Sequence, residues 1–278
     1  MSYALWLAAI SAAFVALERV APRRPDPGLL RPGIVTDLAY VVFNGHFLGV
    51  VLAALTAPVT RGFERLAASL GLASSLHARV AEGWSAAAQF VVALLAIDLL
   101  KWLIHNLLHR VPWLWEFHKV HHSIEHMDWL GSMRFHFAEA LIYDGLLYVP
   151  LAILGFRGDV LFALAVVGTA IGHFNHANLR VHIGPLRYIL NSPEMHVWHH
   201  AHPDAGPVDR NFGINLAIWD WLFGTAYVPD HAPSRLGFEG IETWPRGPVG
   251  QALRPFVGAA SRRNRTSADR EDSAPLAP

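Results

Sequence analysis

Residues 84–122 read WSAAAQFVVALLAIDLLKWLIHNLLHRVPWLWEFHKVHH, an apolar run that leads without a break into five histidines. Residues 84–104 are long and apolar enough to cross a bilayer as a helix. Asp98 and Lys101 fall on the final turns of that span, where water or a polar site begins. Beyond it come His105, His109, His118, His121 and His122. Residues three and four apart share a helix face, so His105 can point with His109, and His118 with His121 and His122. A second set follows at His173, His176, His196, His199 and His200, and its HVWHH repeats the spacing of HKVHH.

Three imidazoles at i, i+3 and i+4 converge on a volume the size of a metal coordination sphere. About ten of them exceed what one ion uses, so a pair of metals is the economical reading. Imidazole suits iron, zinc, copper and nickel alike and does not by itself name the metal. Isolated histidines are more often hydrogen-bonded packing residues, and His46, His77, His182, His202 and His231 are read that way. His126 and His136 stand nearer the clusters, where either could support a ligand. The zinc-protease pattern HExxH, a GxSxG elbow and both Gly-rich phosphate loops are missing from the sequence.

Composition agrees with a membrane setting. The 278 residues are 53% hydrophobic and 16% charged, with a mean hydropathy of +0.29. Net charge is zero, which gives no sign of a nucleic-acid partner. Seventeen histidines stand beside no cysteine, so any metal is held by imidazole with carboxylate, amide or water in support.

Working outward along the chain, residues 3–20 form a first apolar span. No basic residue precedes it, so a retained helix is expected rather than a cleaved signal. A Pro/Gly/Arg loop follows, and residues 34–56 form a second span interrupted by Asp37, Asn44 and His46. From Pro58 to Gly83 the mixed pattern predicts an amphipathic helix at the interface. Residues 138–156 and 159–172 read as a helical hairpin, which returns the chain to one membrane face and so brings the two histidine sets to the same side. Arg19, Arg23, Arg24 and Arg31, with Arg254, Arg262, Arg263 and Arg265, place that face in the cytoplasm by the positive-inside rule. Arg61, Arg65 and Arg79 would then lie outside. The tail from about Gly258 is expected to be disordered.

The expectation is thus an all-α, multi-span helical bundle with a cytosolic-side helical cap carrying a dimetal site. Its parts are residues 1–83 (transmembrane and interfacial helices), 84–232 (the catalytic unit) and 233–278 (a C-terminal extension).

Asp98 with HNLLH, then HKVHHS, RFHFAE, HFNHANL, SPEMHVWHH and NFGINLAIWDWLFGT, resembles the fatty acid hydroxylase/sterol desaturase superfamily over roughly residues 90–230. The resemblance implies an integral membrane oxidoreductase with two iron ions facing the cytosol, in the inner membrane if the source is bacterial. Such enzymes use O2 and two electrons to hydroxylate or desaturate a C–H position of a sterol, fatty acyl or isoprenoid lipid. It assigns His105, His109, His118, His121, His122, His176, His196, His199 and His200 as iron ligands. His173 joins them, although HFNH is one residue tighter than the HxxxH of some members, and Asn106 stands where many relatives have arginine.

Each ligand ring needs its outer nitrogen held by an acceptor. Asp98, Glu139, Glu194 and His136 are candidates for that task, and Asn211 and Asp220 for seating the last histidines. Trp219, Trp221 and Phe223 read as interfacial anchors. No flavin, haem or nicotinamide fold is legible, so electrons would come from NAD(P)H through a separate ferredoxin or cytochrome b5 type protein. The competing reading is a membrane protein that binds or transports metal through the same histidines. Transporters place ligands near the midplane in broken helices, whereas these lie at span ends.

Overall fold

The computed structural model describes residues 2–25, 28, 31–71 and 80–257, without the side chains of residues 52, 53, 55–57, 59, 60 and 144. The expected tail and His77 lie outside the described residues. The fold is all-helical, and among the described residues the extended pairing amounts to isolated bridges.

Among the described residues, four helices are long and apolar enough to span a membrane: α1 (Tyr3–Val20), the rod that opens with α2 (Ile34–Val42), α4 (Ala86–Arg110) and α7 (Gly158–His176). In α1 only 11% of the span is buried, and Leu5, Val15 and Leu17 face outward. Such an apolar exterior suits lipid rather than water.

The rod runs from α2 through a π turn, Phe43–Phe47, into α3 (Leu48–Ser69). The sequence pattern divides this stretch at Pro58, but the helix passes through that residue. An interior proline removes one hydrogen bond, a loss that membrane helices tolerate where local adjustment re-satisfies the backbone. Of the predicted interfacial helix, Arg61, Glu64 and Arg65 therefore extend the rod, and residues 72–79 lie outside the described residues.

The hairpin between the histidine sets is α6 (Phe137–Ile153) and α7. It packs on α4 through Ala93, Ile97, Leu147, Leu151, Val160 and Leu164. Gln89 fastens the same end: its amide donates to Ala81 O and its oxygen accepts from Arg157 N, both at 2.8 Å.

The opposite end carries the polar cap. There α4 turns at Val111 into α5 (Pro112–His122), with proline at the first helical position, where its missing N–H costs nothing. After α7, Ser192 caps α8 (Pro193–His199) by accepting from Met195 N. Next come α9 (Ile218–Phe223) and a helix over residues 248–257, α10. The start of α2 is tied into the cap by Arg31, which makes two hydrogen bonds to Asp128. The ends of α1 and α7 are joined at the Pro22–Leu179 bridge.

Candidate metal centre

Each site histidine reaches the centre from the cap end of its element. α4 supplies His105 and His109 one turn apart, and α5 supplies His118, His121 and His122 on its last two turns. α7 ends on His176, while α8 and the residue after it give His196, His199 and His200. They form two groups: His105, His109, His118, His122 and His199, then His121, His176, His196 and His200. Within each group one ring nitrogen per residue lies within 4.8 Å of all the others. The groups share a wall, with ring centroids 4.5 Å apart for His122 and His200 and 5.3 Å apart for His118 and His121.

The hydrogen bonding tests whether these residues fit metal. His105 Nδ1 lies 2.7 Å from Phe212 O, His121 Nδ1 2.9 Å from Arg134 O, His176 Nδ1 2.9 Å from Gly172 O and His199 Nδ1 2.8 Å from Arg210 O. A carbonyl only accepts, so each of these Nδ1 atoms carries the proton. A neutral imidazole has a single N–H, which leaves each Nε2 with a lone pair directed inward. His176 Nε2 and His121 Nε2 then meet at 3.3 Å, acceptor against acceptor. Such pairs repel unless a cation lies between them. His109 Nε2 is likewise buried with no partner among the described residues.

Burial holds the His118, His122, His196, His199 and His200 rings well below the usual histidine range, and neighbouring imidazoles push the same way. His121 is also lowered, chiefly by burial and against the opposing pull of Glu139 and the Arg134 carbonyl. Neutral, preoriented imidazoles in two adjoining sets suit a pair of transition-metal ions.

Residues 90–225, which contain every member of both groups, match the family described as fatty acid hydroxylase. The chain carries a fatty acid hydroxylase domain over these residues. It is 32% identical to the ornithine lipid hydroxylase of Rhizobium tropici over 71% of this chain and 63% of that protein. It is also 32% identical to the alkylglycerol monooxygenase of Danio rerio over 53% of this chain and 32% of that protein. The human alkylglycerol monooxygenase is 30% identical over 51% and 31% respectively. The chain thus spans less than two thirds of the length of these relatives. No solved structure matches it.

Within this fatty acid hydroxylase domain, the other residues singled out by sequence take several different places. Glu139 meets a ligand-set ring directly, Oε1 standing 3.0 Å from His118 Nδ1. Asp98 does not touch His105. It accepts from Asn215 N, Leu216 N and the Trp219 indole at 2.9–3.0 Å. Asp220 accepts from Trp102 Nε1, Phe212 N, Gly213 N and Thr225 Oγ1. These two buried carboxylates staple the 211–225 segment to α4, and that segment returns the Phe212 carbonyl to His105.

Asn211 sits at φ 57°, a left-handed conformation that asparagine tolerates, and donates to Met195 O and Tyr227 O. A Cβ on Gly213 would fall 2.4 Å from Leu216 O and 2.8 Å from Asp220 Oδ2, so glycine is required for this close approach. Trp219 is tied inward by Asp98, whereas Trp221 and Phe223 remain exposed.

The structure does not bring His173 to either group. Its rings nitrogens face Ser132 Oγ at 2.9 Å and Ser11 Oγ at 3.2 Å, because its position on α7 looks toward α1 and the 129–133 turn. His136 caps α6 by accepting from Ala138 N and faces Ala252 O with its other nitrogen. Glu194 pairs with the exposed His182. Most of the acceptors that orient the site are main-chain carbonyls, which side-chain reasoning does not reveal. Asp209, 3.1 Å from His109 Nδ1, was also missed. Its signal is slight: an aspartate in a turn, at φ 58°.

Proposed function

We propose that this chain is a membrane di-iron monooxygenase that hydroxylates a C–H position of a lipid. The overall change is R–H + O2 + 2 e⁻ + 2 H⁺ giving R–OH + H2O, with electrons delivered from NAD(P)H by a separate ferredoxin or cytochrome b5 type protein. The carrying observation is the pair of adjoining imidazole sets with inward lone pairs. The hydroxylases and monooxygenases named among its relatives support the reaction class. When bound, the two irons would supply reductive activation of O2.

The residues have distinct tasks. The nine Nε2-bearing rings hold the metals, and His173 supports the wall behind them. The carbonyls of Phe212, Arg134, Gly172 and Arg210 fix ring orientation and tautomer. Phe212, with its ring centroid 5.2–5.8 Å from those of His105, His109 and His199, closes one side with apolar surface and keeps bulk water out. Residues 84–232 form the catalytic unit in this reading, between the N-terminal helices of residues 1–83 and an extension over 233–278. The arginine distribution supports a centre at the cytoplasmic face, of the inner membrane in a bacterium.

The test combines metal analysis of the purified full chain with lipid profiling of a host supplied with 18O2. Two irons per chain and one labelled oxygen in a lipid are expected, with both effects lost or sharply reduced in His121→Ala. Zinc in place of iron, or a labelled lipid pool identical with and without the gene, would sink the proposal.

A further inference from the structure

Every member of both histidine groups lies within residues 90–225, yet one of the carbonyls that orient them is held by a side chain from outside that stretch. Arg134 is the middle residue of a tight turn, with ψ 90°, in which Phe135 N donates to Met133 O at 3.2 Å. Asn44 belongs to the π turn that joins α2 to α3, a widened helical turn that recurs at functional sites. Both hydrogens of its amide go to the Arg134 turn: Nδ2 donates to Met133 O at 2.8 Å and to Phe135 O at 2.9 Å. The carbonyl between those two is that of Arg134, which accepts from His121 Nδ1 at 2.9 Å.

The same face of the rod ties this segment down a second time. Asp37 stands seven residues before Asn44, close to two helical turns, so the two share a side. Asp37 Oδ1 lies 2.7 Å from Arg134 Nε, and Arg134 Nη1 donates to Ser123 O at 2.8 Å, one residue beyond His122. Asn44, Asp37 and Arg134 are all buried, so water does not compete for these bonds. Any buried loop needs donors for its carbonyls, and satisfaction alone would make Asn44 ordinary. What sets it apart is the carbonyl that lies between the two it binds. With both donors gone, the turn is free to rotate, and the acceptor moves off His121 Nδ1. Outer partners of this kind fix ring orientation and so metal affinity.

We propose that Asn44 is a positioning residue of the metal centre: through the backbone of residues 133–135 it sets the Arg134 carbonyl against His121 and so aims His121 Nε2 into the second histidine group. The inference rests on the two-metal centre of the reading above, not on its reaction, and metal binding tests it without turnover.

In the experiment, Co2+ is titrated into the metal-free full chain in detergent, and its visible absorption follows each ion as it binds. The parent is expected to take up two, and the step missing in His176→Ala belongs to the second group. Asn44→Leu should weaken that step roughly tenfold. The other step should stay within about twofold of the parent. Asn44→Asp keeps the shape but at most one donor, and it should weaken the same step should the leucine variant fail to fold. Gln89→Leu is the control. It removes another buried amide bound to backbone through both its atoms, at the far end of the bundle. It should lower the thermal midpoint and leave both cobalt steps unchanged.

Equal weakening of both steps in the Asn44 variants, unchanged binding, or the same selective loss in Gln89→Leu would overturn the assignment and leave the centre in place. A parent that binds fewer than two cobalt ions rejects the two-metal centre, and the positioning role with it. Selective weakening in a chain that oxygenates no lipid keeps the assignment and rejects the monooxygenase reading alone.

Discussion

His118 Nδ1 and Glu139 Oε1 stand 3.0 Å apart, both residues buried, one on α5 and the other on the first turn of α6. Glu139 is the side chain through which the hairpin reaches a ring of the first histidine group, where the other observed acceptors are mostly carbonyls. A carboxylate there fixes the tautomer that points the His118 Nε2 lone pair inward, and it raises the basicity of that nitrogen. Glu139→Gln preserves shape but removes the charge. Metal affinity or turnover is expected to fall roughly 10–100-fold with the fold intact, as tested by metal titration and circular dichroism. Unchanged affinity would show that Glu139 is only a packing residue.

Asp98 predicts a different kind of loss. It binds no ring but accepts three donors from the 215–219 segment. Asp98→Ala leaves buried N–H groups unpaired, at a cost on the order of 3 kcal/mol, so the thermal midpoint should drop by roughly 5–10 °C. Glu194→Gln serves as the contrast. Its partner His182 is exposed, and the change is expected to move the midpoint by less than about 2 °C. Equal effects of the two substitutions on thermal unfolding would remove the stapling role given to Asp98.

These two carboxylates show what the sequence could and could not disclose. The spans were legible because apolar runs have few other uses, and the histidine trios because i, i+3, i+4 spacing is a local property of a helix. Asp98 and Asp220 stood out as charges in apolar surroundings, but the partners of Asp98, and Trp102 as a partner of Asp220, lie over a hundred residues away, so their stapling of the 211–225 segment to α4 emerged only from the fold. The carbonyls of Phe212, Arg134, Gly172 and Arg210 left no trace, since every residue carries one. Pro58 misled for the opposite reason: its local preference was clear, and the longer helix overrode it.

His173 separates spacing from placement. It shares the HFNH motif with His176 yet faces Ser132 and Ser11 rather than either group. His173→Gln is therefore expected to keep both metals, whereas His196→Ala loses at least one. Metal content per chain after gel filtration decides the matter. A chain that loses metal equally in both variants would make His173 a ligand despite its position.

Removal of metal makes the site a pH sensor of known sign. The folded-state values of His118, His122, His196, His199 and His200 lie well below the ordinary value near 6.5, chiefly through burial. Below about pH 6.5 the unfolded chain takes up protons that the folded chain refuses, so acid favours unfolding. Each such group costs up to about 1.4 kcal/mol per pH unit until its own folded-state value is reached, and nothing above pH 7. In excess chelator the thermal midpoint should accordingly be level from pH 8 to 7 and fall steeply toward pH 5.5, a range in which ordinary carboxylates are still ionised. With metal bound the midpoint is higher throughout, and acid should release the ions as protons compete for Nε2. A midpoint independent of pH across this range in the metal-free chain would mean that the imidazoles are already protonated or open to water, and the inward lone pairs on which the metal centre depends would be lost with them.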